Sequence, residues 1–490
     1  IIGLSHALVL FVVGLVIIHR FRRPKLNEPP LVPYKYPFVG HSFEFKRNPE
    51  EFIKQCHKKY GDIFSFYASR QIYTVVSNDL VYELFRSSDF SFRSVSDVGS
   101  TIAQAFIVIA LRYLFTSLVN QRFPFYDIIG STLYPDFTDN LSAMLKDSLY
   151  GHLADYQTRI YRELRNGIDQ LIGDCKEAKV INNPEYIIRI IIARTVANVV
   201  VGETLCRDPE VVETFATFAT VLVQSRKLSD FAYFIHPSVH RKYAKLIFNC
   251  GDNPVQKHKD LLIRKLKFVF EKHHQRDRQQ HGNEWTCAVN DLIDRIINHS
   301  LELFGQVQYD YIACYLLSLI LAGIHTVSAN VLNTLNDFAG RPEYWEDLRE
   351  EQEFIAGDVE SDLSVRQVNE MKKLDSFVKE STRLVGHVLA FSHRVMSSSY
   401  TFKNGYQVPK DRLVFVNHLA YMSDPSLHGD NPETFSGFRY VEKIHLPRLI
   451  AMAILIRKYE ISSLDGKRPK NIIGYGGIII ASAPLKFKSR

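Results

Sequence analysis

The first eighteen residues, IIGLSHALVLFVVGLVII, carry no charge and only Ser5 and His6 as polar groups. About 20 apolar residues cross a bilayer core, so residues 1–18 are expected to form a transmembrane anchor. The chain opens on Ile1 rather than Met, so its start is read as lying upstream. The charges follow the apolar run, at His19, Arg20, Arg22, Arg23 and Lys25. A secretory signal would carry them in front. Cationic flanks stay on the cytosolic side, which puts the rest of the chain in the cytosol. Pro24, Pro29, Pro30, Pro33 and Pro37 then make residues 19–40 a basic, proline-stiffened hinge.

Beyond the hinge the rhythm changes. Residues 49–59 have a helical start, with Pro49 in the first turn and acidic Glu50 and Glu51 beside it; Tyr60-Gly61-Asp62 closes it. Ile63 to Val76 alternates around Ser69-Arg70-Gln71, a hairpin pattern. Helical periodicity dominates from residue 78. Pro184 to Val201 predicts a long apolar helix capped by Asn183 and ended by Gly202. Tyr309 to Phe338 predicts another. His273 to Asn283 is polar throughout and reads as a solvated loop. Strand patterns return at 392–417 and in the Gly-rich tail at 472–488, while 95–130 and 205–255 carry least pattern. A small early sheet, a large helical middle and a late sheet make an α+β class that is mainly α.

Composition changes this picture little. Hydrophobic residues are 46% and charged residues 23%, the balance of an ordinary globule. A net charge of +7 over 490 residues, without a long basic run, argues against a nucleic-acid partner. The six cysteines stand about 27 residues or more apart, so no metal-knuckle spacing exists and no metal site is predicted.

Three constellations could carry chemistry. Ala322-Gly323-Ile324-His325-Thr326 sits inside the long helix. Glycine costs about 1 kcal/mol in a helix interior, so Gly323 suits either close packing or the approach of something flat. His325 could relay protons. Glu380 and Arg383 share a helix face at i and i+3. Asn431-Pro432-Glu433-Thr434-Phe435-Ser436-Gly437-Phe438-Arg439 predicts an irregular loop, with Arg439 available as a third member of a Glu–Arg–Arg network.

In this order and spacing the motifs resemble the cytochrome P450 family. Ala-Gly-x-x-Thr resembles its oxygen-activating helix, Glu380-x-x-Arg383 its Glu-x-x-Arg motif, and Asp430 to Arg439 its meander loop. Asn404-Gly405-Tyr406-Gln407-Val408-Pro409, Tyr36-Pro37-Phe38-Val39-Gly40-His41 and Tyr60-Gly61-Asp62-Ile63-Phe64 resemble further family segments. The His325-Thr326 pair and Pro342-Glu343-Tyr344-Trp345 look most like fungal members. The resemblance covers residues 1–443 and resumes weakly after that, with 41–490 as the cytochrome P450-like domain. It implies the cytochrome P450 fold and a heme-thiolate monooxygenase, single-pass in the endoplasmic reticulum membrane, with a cytosolic catalytic domain. Heme b is the implied cofactor, NADPH–cytochrome P450 reductase the implied partner, and a hydrophobic small molecule of sterol, terpenoid or fatty acid type the implied substrate. Thr326 and His325 take the catalytic positions, Arg394 or neighbouring His393 meets a heme propionate, and Glu380, Arg383 and Arg439 form the structural core network.

The resemblance breaks at one junction. The family's heme loop, Phe-x-x-Gly-x-x-x-Cys-x-Gly, belongs after the meander. Here Tyr440, Val441, Glu442 and Lys443 lead directly to Ile444 and an apolar helix pattern, and no cysteine follows Cys314. A skipped exon and a catalytically inactive, membrane-tethered protein both account for this. The intact flanking motifs favour the skipped exon.

Overall fold

Helices form where the chain offers both a start signal and an apolar stripe, and the first two show it. In the computed structural model α1 (Ser42–Arg47) leads into α2 (Pro49–Tyr60), where the Asn48 side chain accepts from the Glu51 amide and Gly61 ends the helix at φ 80°. The structure describes residues 26–91 (apart from 38 and 69–70), 134, 137–145, 149, 153–226, 254–281, 292–357, 363–385, 389–442, 450–474 and 477–490. The expected anchor at 1–18, the stretch 95–130 and the Lys443–Ile444 junction lie outside those residues.

β1 (Ile63–Ala68) and β2 (Gln71–Val76) form the expected antiparallel hairpin, Ile63 opposite Val76. After α3 (Asp79–Arg86), β3 (Phe90–Ser91) reaches the edge of a five-stranded sheet. Its other strands, β5 (Leu389–Val395) and β8 (Leu413–Asn417), come from the far end of the chain. The order is β1-β2-β8-β5-β3, with β2 and β8 parallel and a register shift between Ala390 and His393. β6 (Ser399–Thr401) and β7 (Gln407–Pro409) form a hairpin beside it, turned by Gly405 at φ 83°. Apolar clusters cover both faces of the large sheet.

The helical bulk lies between these strands in sequence: α4 (Phe137–Met144), α5 (Leu153–Leu171), α6 (Pro184–Leu205), α7 (Pro209–Arg226), α8 (Pro254–His281), α9 (Leu292–Phe304) and α10 (Tyr309–Ala339). Asn183 caps α6 as its sequence predicts, and Gly202, at φ 81° and ψ 174°, breaks it. The His273–Asn283 loop expectation fails over 273–281, which continue α8 to His281. Those residues are polar, but the Gln and Arg among them are good helix formers and neither Gly nor Pro interrupts the run before Gly282. The stretch from 209 to 226 is likewise helix rather than unpatterned loop.

α10 is long and apolar enough to cross a membrane, yet it runs through the protein core. α13 (Lys372–Arg383) packs on it, α11 (Trp345–Ala356) packs on α13, and α12 (Val365–Glu370) packs on α11. Two short helices, α14 (His418–Met422) and α15 (Pro425–His428), precede the meander. α16 (Ile450–Lys458) docks on α11, α5 and α10 with Ala451 to Ile456 buried, so the core closes on both sides of the junction. β4 (Lys179–Ile181) and β9 (Tyr459–Ser463) pair on either side of β12 (Leu485–Ser489) in the order β4-β12-β9, and β10 (Ile472–Gly474) pairs with β11 (Gly477–Ile479).

Candidate functional site

Glu380 is fully buried near the end of α13, and everything around it is a donor. Arg383, one helical turn on, grips it with both arms of its fork, Nε to Oε2 and Nη2 to Oε1, each at 2.8 Å. Arg439 comes from the meander and donates Nε to Oε1 at 3.1 Å. The Ser436 amide donates to the same oxygen at 2.9 Å. A lone buried carboxylate would cost several kcal/mol, and charge-assisted bonds from both sides offset that. The structure thus brings together Glu380, Arg383 and Arg439.

Arg439 does more than neutralise. Its Nη1 donates to the carbonyls of His428 (2.6 Å) and Asp430 (3.3 Å), and its Nη2 to those of Asn431 (3.3 Å) and Thr434 (2.7 Å). One guanidinium therefore satisfies the carbonyls of a loop that has no ladder of its own. Arg383 adds the Met422 carbonyl at 2.8 Å. The loop's glycine also has a reason: a Cβ on Gly437 would lie 2.7 Å from the Tyr344 ring and 2.8 Å from that of Phe377. The Gly437 amide donates to Tyr344 Oη at 3.1 Å. The Pro342–Trp345 run thus supports the meander, a role that its sequence does not announce.

Thr326 and His325 lie on α10. Thr326 is 1% exposed. His325 Nε2 is shielded from water. Burial, with the Arg189 charge second, pulls its imidazole down to about 3, so the ring is neutral at physiological pH. A Cβ on Gly323 would meet no other residue within 4 Å among the described residues.

His393 and Arg394 sit side by side on β5, opposite Val414 and Leu413. Neighbours on a strand point to opposite faces, so one anionic group cannot meet both from one side of the sheet. His393 is buried and stands edge-on to Phe85, ring centroids 5.4 Å apart. Arg394 donates to the Asp411 carbonyl at 3.2 Å.

The room beside Gly323 among the described residues suits a flat group, but the cysteines among the described residues do not fit a heme-thiolate. The cysteines among the described residues, Cys56, Cys175, Cys206 and Cys314, are all buried. Burial pushes Cys56 up to about 11 and Cys314 up to about 12, so both stay thiols, and a thiolate is what binds iron. Cys314, on α10 itself, is twelve residues or about 18 Å of helix from Thr326. No set of three or more His, Cys, Asp or Glu among the described residues could hold a metal ion.

Comparison with known proteins agrees with the family and the fold. The family model described as cytochrome P450 matches residues 29–111 and 135–448. Lanosterol 14-alpha demethylase of Cunninghamella elegans is 21% identical over 433 residues, covering 85% of this chain and 73% of that protein. Cytochrome P450 monooxygenase AN1598 of Emericella nidulans is 27% identical over 430 residues, 84% of this chain and 72% of that protein. Pyrichalasin C-7 hydroxylase of Pyricularia grisea is 31% identical over 260 residues, 51% of this chain and 48% of that protein. Among solved structures, retinoic acid bound cyanobacterial CYP120A1 superposes with a TM-score of 0.60 at 16% identity, covering 95% of this chain and 100% of that one.

Proposed function

Because this chain belongs to the cytochrome P450 family, we propose that its scaffold is that of a monooxygenase inserting one oxygen atom from dioxygen into a hydrophobic substrate of sterol, terpenoid or fatty acid type. The observation that carries this reading is the buried Glu380–Arg383–Arg439 lock, assembled from two separate motifs whose spacing the family shares. Heme, when bound, would supply the oxygen chemistry. In this reading Thr326 and His325 are the proton-handling pair, with the buried His325 ring neutral and resisting protonation. Arg394 or His393 is the propionate contact. Electrons come from NADPH–cytochrome P450 reductase, and residues 1–18 tether the domain to the endoplasmic reticulum membrane. The named fungal relatives include a sterol demethylase and a hydroxylase, which supports an apolar substrate.

One observation favours a second reading for this particular polypeptide: no cysteine follows Cys314. Without that ligand the chain is a membrane-tethered protein that keeps the scaffold and does no oxygen chemistry. Sequencing the transcript across the Lys443–Ile444 codons separates the two. A transcript restoring a Phe-x-x-Gly-x-x-x-Cys-x-Gly segment supports the monooxygenase reading, and its product, paired with the reductase, is expected to oxidise an apolar substrate. A cysteine-bearing product that binds heme but leaves a panel of sterols, terpenoids and fatty acids unchanged would overturn it.

A further inference from the structure

The residue after Glu380 opens a second network on another side of α13. Ser381 is fully buried, and its hydroxyl donates to Asp337 Oδ2 at 2.6 Å. Asp337 lies in the last turn of α10 and is itself 2% exposed. Asn333, one turn earlier, donates Nδ2 to the Ser381 hydroxyl at 2.6 Å and to the Ser381 carbonyl at 3.0 Å. Asp337 Oδ1 accepts from Arg341 Nε (3.2 Å) and from Arg468 Nε (2.6 Å). Arg468 closes the circuit by donating Nη2 to Asn333 Oδ1 at 2.8 Å. The turn that brings Arg468 is pressed onto the end of α10, since a Cβ on Gly340 would lie 2.2 Å from the Arg468 nitrogen.

Two consecutive residues of α13 therefore serve two different buried carboxylate networks. Glu380 reaches the meander through Arg439. Ser381 reaches the helix that carries His325 and Thr326 through Asp337 and Asn333. Both networks have a buried carboxylate at the centre, Glu380 Oε1 accepting from three donors and Asp337 Oδ1 from two, and such clusters hold one geometry or come apart together. We propose that Ser381 and Asp337 are positioning residues: they fix α10 against α13 so that the Thr326 segment and the meander loop are held in register through adjacent residues of one helix. The coupling acts on helices and loop alone, and so holds whether or not this polypeptide turns over substrate. Its failure would leave the monooxygenase reading untouched.

The test is amide hydrogen exchange on the full chain in detergent, wild type against Ser381→Ala. The expected result is faster exchange by about tenfold in both 318–330 and 431–440, with the 63–76 hairpin unchanged. Faster exchange in 318–330 with 431–440 at the wild-type rate would overturn the coupling. A rise of equal size in all three segments, hairpin included, would reduce Ser381 to general stability and overturn it too. Should Ser381→Ala not fold, Arg468→Gln gives the same readout, because Arg468 is partly exposed and removes one of two guanidiniums from Asp337. It is expected to show the same two-segment pattern at smaller size, and no change in either segment contradicts the proposal.

Discussion

Glu163 and Glu380 are each fully buried, and each holds two arginines. Around Glu163, Arg194 donates Nε and Nη2 to Oε1 (3.1 and 2.8 Å) and Arg207 donates to Oε2 at 2.9 Å. The chemistry matches that at Glu380, but the reach differs. Arg194 lies on α6, packed directly on α5, and the Arg207 side chain is 55% exposed. The Glu163 network staples helices that already touch along their lengths. Arg439 instead spends its remaining donors on four carbonyls of an irregular loop. A buried carboxylate has long-range consequence when its arginine also satisfies the backbone of an irregular loop.

That difference can be broken in order of expected effect. Glu380→Gln leaves two guanidiniums facing a neutral partner and should cost about 3–5 kcal/mol; denaturant unfolding with exchange at 431–440 would show the loop released. Glu163→Gln leaves one buried and one half-exposed arginine and should cost nearer about 3 kcal/mol, with exchange rising in 153–205 while the meander stays protected. Gly437→Ala drives a methyl into the Tyr344 and Phe377 rings and should cost about 1–3 kcal/mol, read as a lower thermal midpoint. Arg207→Gln sits at the exposed end of its pair and should cost less than about 1 kcal/mol. A loss at Arg207 equal to that of Arg439→Gln would erase the contrast.

Acid gives a separate handle. Below the ordinary imidazole value of about 6.5 the unfolded chain takes a proton at His325, which the folded chain refuses down to about 3. Stability therefore falls as pH drops from 6.5, and the loss is complete only near the folded value. His258, lowered by burial, works in the same direction. His325→Asn should flatten the dependence of the thermal midpoint between about pH 7 and 5.

Much of this was legible in the sequence for local reasons. Glu380 and Arg383 are one turn apart, so a helical pattern places them together. Asn183, Pro184 and Gly202 announce the limits of α6. Arg439 stands 59 residues from Glu380, so the sequence offers it only as an available third member and the family resemblance gives it that place. Nothing local marks Asp337 with Ser381, 44 residues away, or with Arg468, 131 away. The Glu163 network was missed for the same reason. The polar run 273–281 misled because polarity resembles a loop, although its Gln and Arg residues are good helix formers and no Gly or Pro interrupts it. The absence of a cysteine after Cys314 needed no structure at all. What the fold adds is that α16, on the far side of the junction, still docks in the core.

This polypeptide belongs to the family and carries no cysteine after Cys314, and we propose that it therefore keeps the scaffold without the iron ligand. The most direct measurement is the reduced, carbon monoxide difference spectrum of the purified full chain supplied with heme, alongside its circular dichroism. The account predicts a folded, mainly helical protein with no thiolate-type Soret band. A thiolate-type band from this chain would contradict it.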